Sequence, residues 1–285
     1  MTKRAGVIGH PIGHSVSPAV YDAAFASAGI DATYEAWDTP PDTLQDRVNT
    51  LRGGDYLGAN VTVPHKTEIV KLLDGMDEVA SRAGAVNTVV HRDDQLTGYN
   101  TDVAGFARAL REDASFDAKG RRATVLGSGG AARAVALSLI DARASVIYVV
   151  ARQPRKLERM VVDLKPLTRT GTTITWAYWG DGSFLRSLNE ADLLVNCTPI
   201  GMKGGEDEGK PAIDPSLIPP KLTVFDLVYN PIETPLTAAA KSRGAKATAG
   251  LGMLVYQAAE SFRLWTGAEA DTKTMMDAGR KALEA

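Results

Sequence analysis

Short apolar runs alternate with amphipathic stretches along the first hundred residues, which is the pattern of an α/β fold. Apolar runs at residues 6–8, 33–37, 57–63, 86–91 and 95–99 predict strands, and the last two form a hairpin that turns at residues 92–94. Amphipathic stretches at 19–28, 43–51, 66–73 and 103–111 predict helices. Ser17 and Pro18 come just before the first helix, as an N-cap and a proline at the first helical position.

The same alternation resumes after a polar segment, residues 113–122, that is typical of a linker. Strands are predicted at 123–126, 145–151, 172–176, 193–196 and 223–227, and helices at 131–140 and 157–164. A late amphipathic helix at 254–265 need not belong to this second set. The charged, glycine-rich segment 203–210 is expected to be a mobile loop. The pattern therefore predicts two α/β domains with mainly parallel sheets.

Length and charge narrow the class of protein. A chain of 285 residues is longer than one core usually supports, so two domains are expected. Lys and Arg total 32 against 34 acidic residues, and the net charge of -2 indicates no nucleic-acid-binding surface. The single cysteine fits a reducing compartment, and the chain shows neither a signal peptide nor an apolar run long enough to span a membrane. We therefore expect a cytoplasmic protein without a membrane partner.

A glycine turn between a predicted strand and a predicted helix is the first chemical signal. Residues 127–132 fit G-x-G-x-x-A, the pattern in which a dinucleotide pyrophosphate meets a helix N-terminus. Gly127 permits the tight turn, Gly129 allows close approach of a pyrophosphate, and Ala132 allows the helix to pack on the strand. A purely structural turn is the alternative. The context favours a dinucleotide site that comprises Gly127, Ser128, Gly129, Gly130 and Ala131.

The segment after the next predicted strand distinguishes between the two nicotinamide cofactors. An NAD site usually carries an acidic residue about 20 positions further on, bonded to the ribose 2′-hydroxyl. This chain has no carboxylate there and instead has Arg152 and Arg155 at the start of a helix. Guanidinium groups can bind a 2′-phosphate by charge-assisted hydrogen bonds, although a solvated basic helix start is the alternative. The pattern favours NADP over NAD.

Polar residues of the first hundred positions lie among apolar ones at the ends of predicted strands. Lys66 falls in the first turn of a predicted helix, where a cation opposes the helix dipole, so its position suggests a task other than stability. Asp102 lies at a strand-to-helix junction and, taken alone, would be an N-cap. Together with Ser15, Ser17 and Asn87, these residues form a polar set that is better explained by a ligand.

Sequence blocks from residue 7 to residue 258 resemble those of the shikimate dehydrogenase family, in the same order. The first half contributes VIGHPIGHSVSP at 7–18, NVTVPHK at 60–66, GAVNT at 84–88 and NTD at 100–102. The second half contributes GSGGAAR at 127–133, NCTPIGM at 196–202, DLVYNP at 226–231 and GLGMLVYQA at 250–258. The blocks are specific in combination, and the resemblance covers nearly the whole chain.

The resemblance implies an N-terminal α/β domain that binds the substrate and a Rossmann-type domain that binds NADP. The substrate domain would comprise residues 1–104 and 250–285, so that the C-terminal helices return to it. The dinucleotide-binding domain would comprise residues 105–249. The substrate is expected in the cleft between the two domains.

The resemblance also assigns roles to individual residues. Lys66 and Asp102 match the catalytic pair, and Ser15 and Ser17 match serines that bind the substrate carboxylate. The other matches bind the substrate hydroxyls (Thr62, Asn87 and Gln257), lie near the substrate carboxylate (Tyr229) or contact the cofactor (Thr198, Gly250 and Met253).

The implied reaction is the reversible NADP-dependent reduction of 3-dehydroshikimate to shikimate, in the synthesis of aromatic amino-acid precursors. The reduction needs a hydride at carbon and a proton on the developing alkoxide, and the Lys66 ammonium can supply that proton. Asp102 would orient Lys66, and the sequence leaves open which of the two carries the proton at rest. No metal is expected, because no step requires one and the four histidines lack ligand spacing. A monomer or a homodimer is expected.

This chain departs from the family pattern beside the first arginine. The family commonly has Asn-Arg-Thr where residues 151–153 are Ala-Arg-Gln, so the preference for NADP is expected to be less strict. Ser15 mildly favours shikimate, but quinate stays an alternative substrate because loosely polar pockets discriminate poorly between similar ligands. A non-catalytic sensor and a pterin-using Rossmann enzyme are further alternatives. The intact Lys66 and Asp102 argue against the sensor, and the paired serines argue against the pterin enzyme.

Overall fold

The computed structural model describes residues 2–284, and the chain divides into two compact units. The first unit combines the chain up to Gly105 with the chain from Leu254 onward, and the second unit is Phe106–Met253. Each unit is built on one six-stranded sheet with helices packed on it. The predicted class of two α/β domains is therefore confirmed.

The described residues contain twelve strands and ten α-helices. The strands are β1 (Lys3–Gly9), β2 (Ala32–Asp38), β3 (Gly58–Val61), β4 (Gly75–Met76), β5 (Thr88–Arg92), β6 (Gln95–Tyr99), β7 (Arg122–Leu126), β8 (Val146–Ala151), β9 (Thr173–Tyr178), β10 (Leu193–Asn196), β11 (Thr223–Asp226) and β12 (Lys246–Ala249). The helices are α1 (Ser17–Ala28), α2 (Leu44–Thr50), α3 (Glu78–Ala83), α4 (Asp102–Glu112), α5 (Gly130–Asp141), α6 (Pro154–Leu164), α7 (Gly182–Glu190), α8 (Pro235–Ser242), α9 (Leu251–Thr266) and α10 (Thr272–Glu284). Within residues 2–284, none of these helices has the length and hydropathy needed to cross a membrane.

The sheet of the first unit is mixed. Its strand order is β2-β1-β3-β5-β6-β4, in which β5 runs antiparallel to both of its neighbours and the other neighbouring strands are parallel. The C-terminal ends of β1, β3 and β6 and the N-terminal end of β5 consequently lie at the same edge of the sheet. Segments that are far apart in sequence meet at this edge.

Helix α9, the first of the two helices at the C-terminal end of the chain, packs on the first sheet, as the resemblance implies. Trp265 of α9 donates from Nε1 to the carbonyl oxygen of Val89 in β5, at 2.9 Å. Its ring packs against Tyr21 of α1, and Tyr21 stacks on Tyr34 of β2 with ring centroids 4.1 Å apart. These buried aromatic contacts fasten α9 to three elements of the first unit and fix which of its residues face the sheet.

The sheet of the second unit is parallel throughout, in the order β12-β11-β10-β7-β8-β9. The central strands are apolar on both faces and buried, as strands between two helical layers must be. This is the doubly wound order of the Rossmann fold, and the order reverses between β7 and β10. Ligands of such folds bind beyond the carboxyl ends of the strands at the reversal.

The structure corrects the sequence prediction for residues 66–73. The apolar pattern predicts a helix there, but the segment starts as a turn and forms a 3-10 helix only at Ile69–Leu72. Four closely spaced apolar residues suit one tight turn as well as an α-helix, and a segment this short does not discriminate between them. The sequence prediction also lacks α3, α7, α8, α10, β4 and β12, although α7 and α10 are amphipathic.

Candidate active site

Polar side chains gather at one edge of the first sheet because four strand ends meet there. Thr62 and Lys66 follow β3, and Asp102 follows β6 as the first residue of α4. Asn87 immediately precedes β5, whose antiparallel direction places its start at the same edge. Adjacent strands are about 5 Å apart, so these side chains can contact one another.

Lys66 and Asp102 form an ion pair at this edge. Lys66 Nζ lies 2.5 Å from Asp102 Oδ2. The Lys66 side chain is 14% exposed and the Asp102 side chain is 5% exposed, so little water screens the pair. The ammonium has three N–H donors and Asp102 Oδ2 accepts one of them, so Lys66 can hold the carboxylate while it contacts a further group.

The structure replaces two sequence-based interpretations of these residues. Lys66 lies in a turn before the 3-10 helix Ile69–Leu72, so it does not oppose the dipole of an α-helix. Asp102 lies within α4 and is not its N-cap, and its two oxygens accept hydrogen bonds from Lys66 and Asn87. The predicted polar residues are therefore still close together, but they are close because the ends of their strands meet at one edge of the sheet.

Asn87 connects the ion pair to α9. Its Nδ2 lies 2.9 Å from Asp102 Oδ1 and 3.0 Å from Gln257 Oε1. Its Oδ1 accepts a hydrogen bond of 2.7 Å from the backbone N–H of Thr101. Because a backbone N–H can only donate, this bond fixes which end of the Asn87 amide faces Asp102. The amide nitrogen is thereby directed at the carboxylate and at Gln257.

A second polar layer, which the sequence predictions do not include, lies behind this amide. The Ser261 hydroxyl of α9 is bonded to Asn60 Nδ2 (3.1 Å), Thr88 Oγ1 (2.7 Å) and Thr101 Oγ1 (3.1 Å), and all four side chains are buried. Ser261 also donates to the carbonyl oxygen of Gln257, one helical turn earlier (3.0 Å). The feature of the sequence that could have revealed this layer is the i, i+4 spacing of Gln257 and Ser261 on a largely apolar helix.

Both predicted serines follow the C-terminal end of β1: Ser15 lies in the connection to α1, and Ser17 is the first residue of α1. The Ser15 hydroxyl accepts a hydrogen bond from the backbone N–H of Ser17, at 3.2 Å. The prediction that Ser17 caps α1 is wrong, because Val16 is the N-cap and Ser17 is already helical. Thr62 approaches β1 closely: a Cβ at Gly9 would lie 2.5 Å from Thr62 Cγ2. Glycine at position 9 is therefore needed to seat Thr62 here.

The glycine turn of the second unit lies at the carboxyl end of β7, where the strand order reverses. Gly127 has a φ of 113°, which other residues rarely adopt, and a Cβ there would lie 3.3 Å from the carbonyl oxygen of Cys197. Gly129 is the N-cap of α5, and apart from Gly129 and its two chain neighbours no described residue has an atom within 4 Å of its ideal Cβ position. The open space and the free N–H groups of a helix start fit a pyrophosphate.

The two predicted cofactor arginines are exposed between the end of β8 and the first turn of α6. In the preceding helix, Arg133 donates to Asp163 of α6 at 2.8 Å, and its side chain is only 12% exposed. This ion pair fixes α6 against α5. Asp163 lies near the C-terminal end of α6. Arg152 and Arg155 lie at the other end of this helix, after β8, which is the strand adjacent to β7 and its glycine turn.

A buried carboxylate lies at the end of β11, on the other side of the reversal. Asp226 accepts hydrogen bonds from Asn196 Nδ2 (2.8 Å) and the Thr234 hydroxyl (2.6 Å), and burial raises the pKa of Asp226 to about 6. Asn196 Oδ1 in turn accepts from the backbone N–H (3.0 Å) and hydroxyl (2.6 Å) of Thr198. The remaining residues that the resemblance assigns to ligands also belong to this unit; they are Tyr229, Gly250 and Met253.

Comparison with known proteins places the chain in a family. The model described as shikimate dehydrogenase substrate binding domain matches residues 7–89, and the model described as shikimate 5'-dehydrogenase C-terminal domain matches residues 250–278. A curated shikimate dehydrogenase (NADP(+)) from Methanopyrus kandleri is 42% identical, over 97% of this chain and 94% of its own length. The chain belongs to the shikimate dehydrogenase family. The family predicted from the sequence blocks is therefore confirmed.

Solved structures of the family share the fold of this member. Shikimate 5-dehydrogenase from Thermus thermophilus, in complex with NADP(H) and shikimate, matches with a TM-score of 0.85 at 38% identity and covers 99% of this chain and 100% of its own. Quinate dehydrogenase from Corynebacterium glutamicum, in complex with NAD, matches with a TM-score of 0.84 at 30% identity and covers 97% and 98%. Structures this similar therefore carry names that differ in both substrate and cofactor.

Proposed function

We propose that this protein catalyses the reversible, NADP-dependent reduction of 3-dehydroshikimate to shikimate. The observation that carries the proposal is the largely buried Lys66–Asp102 ion pair, whose carboxylate is also bonded to Asn87. Relatives support the same reaction: one is named as an NADP(+) shikimate dehydrogenase at 42% identity, and another was crystallised with NADP(H) and shikimate at 38% identity.

Under this proposal each unit binds one of the two ligands. Residues 1–104 and 250–285 form the substrate-binding domain, and residues 105–249 form the dinucleotide-binding domain. The two compact units of the structure, which divide after Gly105 and after Met253, support this arrangement except at residues 250–253, which belong to the second unit. Gly250 packs against the backbone of Leu227, since a Cβ there would lie 2.2 Å from the Leu227 carbonyl oxygen. The contact requires glycine at position 250, and the family resemblance supports the assignment of Gly250 and Met253 to the cofactor.

The substrate would be held by side chains that match its chemistry. A ring with a carboxylate and several hydroxyls needs donors for the first and paired donors and acceptors for the second. We assign the carboxylate to Ser15, Ser17 and Tyr229, and the hydroxyls to Thr62, Asn87 and Gln257. Asn87 and Gln257 already bond to each other at 3.0 Å, so one hydroxyl can contact both amides.

The cofactor would be held by the glycine turn and the two arginines. Gly127, Ser128, Gly129, Gly130 and Ala131 would bind the pyrophosphate, Arg152 and Arg155 the 2′-phosphate, and Thr198, Gly250 and Met253 the nicotinamide end. The open space at Gly129 and the exposure of both arginines support this fit. NADPH, when bound, supplies the hydride for the reduction.

Lys66 would act as the acid and base at the substrate oxygen. In reduction its ammonium donates a proton to the developing alkoxide, and in oxidation the neutral amine takes that proton back. Asp102 holds Nζ through Oδ2 and stabilises the ammonium, while Asn87 fixes the other oxygen of the same carboxylate. Because the pair is largely buried, its charges act on the reacting oxygen with little screening.

Initial rates for shikimate and quinate, each with NADP and with NAD, test the proposal through the absorbance of the reduced nicotinamide. The proposal predicts the highest kcat/KM for shikimate with NADP. Faster turnover of quinate would overturn the substrate assignment. Quinate must be included because a quinate dehydrogenase is 30% identical to this chain. Binding of both ligands without turnover would instead show a sensor.

We also propose a cytoplasmic location and a monomeric or homodimeric state. The single cysteine, Cys197, and the near balance of 32 basic and 34 acidic residues support a protein of a reducing compartment that does not bind nucleic acid. Light scattering of the purified protein at two concentrations would determine the oligomeric state, and a larger assembly would contradict the proposal.

A further inference from the structure

Asp226 accepts all of its described hydrogen bonds from neutral donors. Its carboxylate is fully buried at the carboxyl end of β11. Oδ1 accepts from Asn196 Nδ2 (2.8 Å) and the backbone N–H of Val228 (3.1 Å), and Oδ2 accepts from the Thr234 hydroxyl (2.6 Å). No ion pair of Asp226 occurs within residues 2–284, whereas the buried Asp102 has Lys66.

A buried carboxylate without a cation is costly to keep. Burial penalises the charged form and raises its pKa, and the three donors compensate only in part. An asparagine or an apolar residue at the end of a parallel strand would avoid the cost. The presence of a carboxylate at this position therefore points to a task that depends on three simultaneous accepted hydrogen bonds.

Each of the three donors belongs to, or lies next to, a segment of interest. Two of these segments contain residues that the proposed function assigns to a ligand, and the third ends the loop that follows β11. Asn196 also binds Thr198, whose N–H and hydroxyl both donate to Asn196 Oδ1. The Val228 carbonyl accepts from the Gly250 N–H at 3.1 Å, and Val228 directly precedes Tyr229. Thr234 caps α8 and closes the loop that begins at β11.

We infer that Asp226 is a positioning residue that holds the Thr198, Tyr229 and Gly250 segments in the arrangement that binds NADP and substrate. The inference rests on the proposed function, because that function assigns ligand contacts to Thr198, Tyr229 and Gly250. One carboxylate fixes all three segments, so its loss releases them together. Asp226 itself need not contact either ligand.

A purely structural role predicts a different outcome from a positioning role. If Asp226 only stabilises the second unit, its replacement lowers the melting temperature while the folded fraction binds NADP+ with unchanged affinity. If Asp226 positions the ligand segments, the folded variant binds NADP+ more weakly. Affinity measured on folded protein therefore separates the two roles.

The test is calorimetric titration of NADP+ into Asp226→Asn and wild-type protein, with circular dichroism to verify folding. The asparagine keeps the shape but presents an N–H where a hydrogen bond must be accepted. We expect about a tenfold weaker Kd and a KM for NADP raised by about the same factor, with kcat at saturation changed by less than about threefold. The matched control is Asp181→Asn, because Asp181 accepts hydrogen bonds at the N-cap of α7 in the same unit.

A Kd for folded Asp226→Asn within about twofold of wild type would overturn the inference. Should Asp226→Asn fail to fold, the NADP+ affinities of Thr234→Val and Thr234→Ser distinguish the two roles, because only the serine keeps the donor to Oδ2. Weaker NADP+ binding by the valine variant alone supports positioning, and equal binding by both overturns it. A wild-type protein that does not bind NADP+ would instead overturn the proposed function, and this inference with it.

Discussion

Asn87 donates a 2.9 Å hydrogen bond from Nδ2 to Oδ1 of Asp102. Lys66 lies on the other oxygen, Oδ2, at 2.5 Å, so both oxygens of the carboxylate are held from different strand ends. The amide is fixed in turn by the backbone N–H of Thr101, which donates to Asn87 Oδ1 at 2.7 Å. The position of Lys66 Nζ therefore depends on Asn87 through the carboxylate that both residues share.

Asn87→Ala should lower kcat/KM for shikimate by roughly 10- to 100-fold, because one hydrogen bond to a buried charge is worth roughly 1.5–3 kcal/mol. The variant also loses the contact with Gln257, so KM for shikimate should rise. Steady-state rates and an NADP+ titration test this, and the affinity for NADP+ should stay unchanged. Asn49→Ala on the exposed face of α2 is the control. A kcat/KM equal to that of the control would exclude Asn87 from the site.

Lys66→Ala should cut turnover by about 10²- to 10⁴-fold, because no other group replaces the proton donor. The substitution also leaves Asp102 buried without its cation, so the variant should unfold at a lower temperature. Single-turnover rates on protein verified as folded separate the two effects, and NADP+ binding should be retained. Lys71→Ala is the control, since Lys71 is 74% exposed and pairs with Glu68. Wild-type turnover by Lys66→Ala would remove this lysine from the mechanism.

Arg152→Ala should weaken the binding of NADP by roughly 10- to 100-fold and the binding of NAD by much less. The reason is that its exposed guanidinium is assigned to the 2′-phosphate, which NAD lacks. Dissociation constants for both cofactors give the result directly. Arg159→Ala, which removes an arginine that is 78% exposed and paired with Asp163 on the same helix, is the control. An equal loss for both cofactors would show that Arg152 does not bind the 2′-phosphate.

Local sequence chemistry predicts five of the six strands of the second unit, and it misses β12, α7 and α8. Apolar runs bounded by polar or glycine residues predict a strand at 193–196, where β10 lies, and the glycine turn at Gly127 follows β7 as expected. In a parallel sheet buried on both faces, each strand is a continuous apolar run, so pattern and structure coincide. The prediction of a helix at 66–73 is wrong because so short an apolar segment does not define a helical period.

Some residues of the candidate site can be predicted from the sequence, and others cannot. Lys66, Asp102 and Asn87 can be found in the sequence as a set of polar residues among apolar ones, and the family resemblance gives each of them a role. Ser261 cannot be found so easily, because a serine in a helix is common and its partners Asn60 and Thr88 lie 201 and 173 positions away. Only the packing of α9 across the sheet brings these residues together.

Asp226 should make the free energy of unfolding depend on pH in a direction opposite to that of most carboxylates. Burial raises its pKa from the ordinary 3.8 to about 6 in the folded protein. Between these values the folded protein holds a proton on Asp226 that the unfolded chain has lost. The contribution of this group to stability is therefore greatest at low pH and is lost as the pH rises through about 6.

Asp226→Asn does not titrate, so its stability relative to wild type should rise by on the order of 1 kcal/mol between about pH 5 and about pH 7. Urea unfolding of both proteins at each pH measures this difference. Asp181→Asn is the control, because hydrogen bonds from Ser183 and from the backbone of Phe184 lower the pKa of Asp181 and leave it ionised throughout the interval. A stability difference between Asp226→Asn and wild type that is the same at both pH values would mean that Asp226 does not titrate in this range, and that neutral donors suffice to keep a buried carboxylate charged.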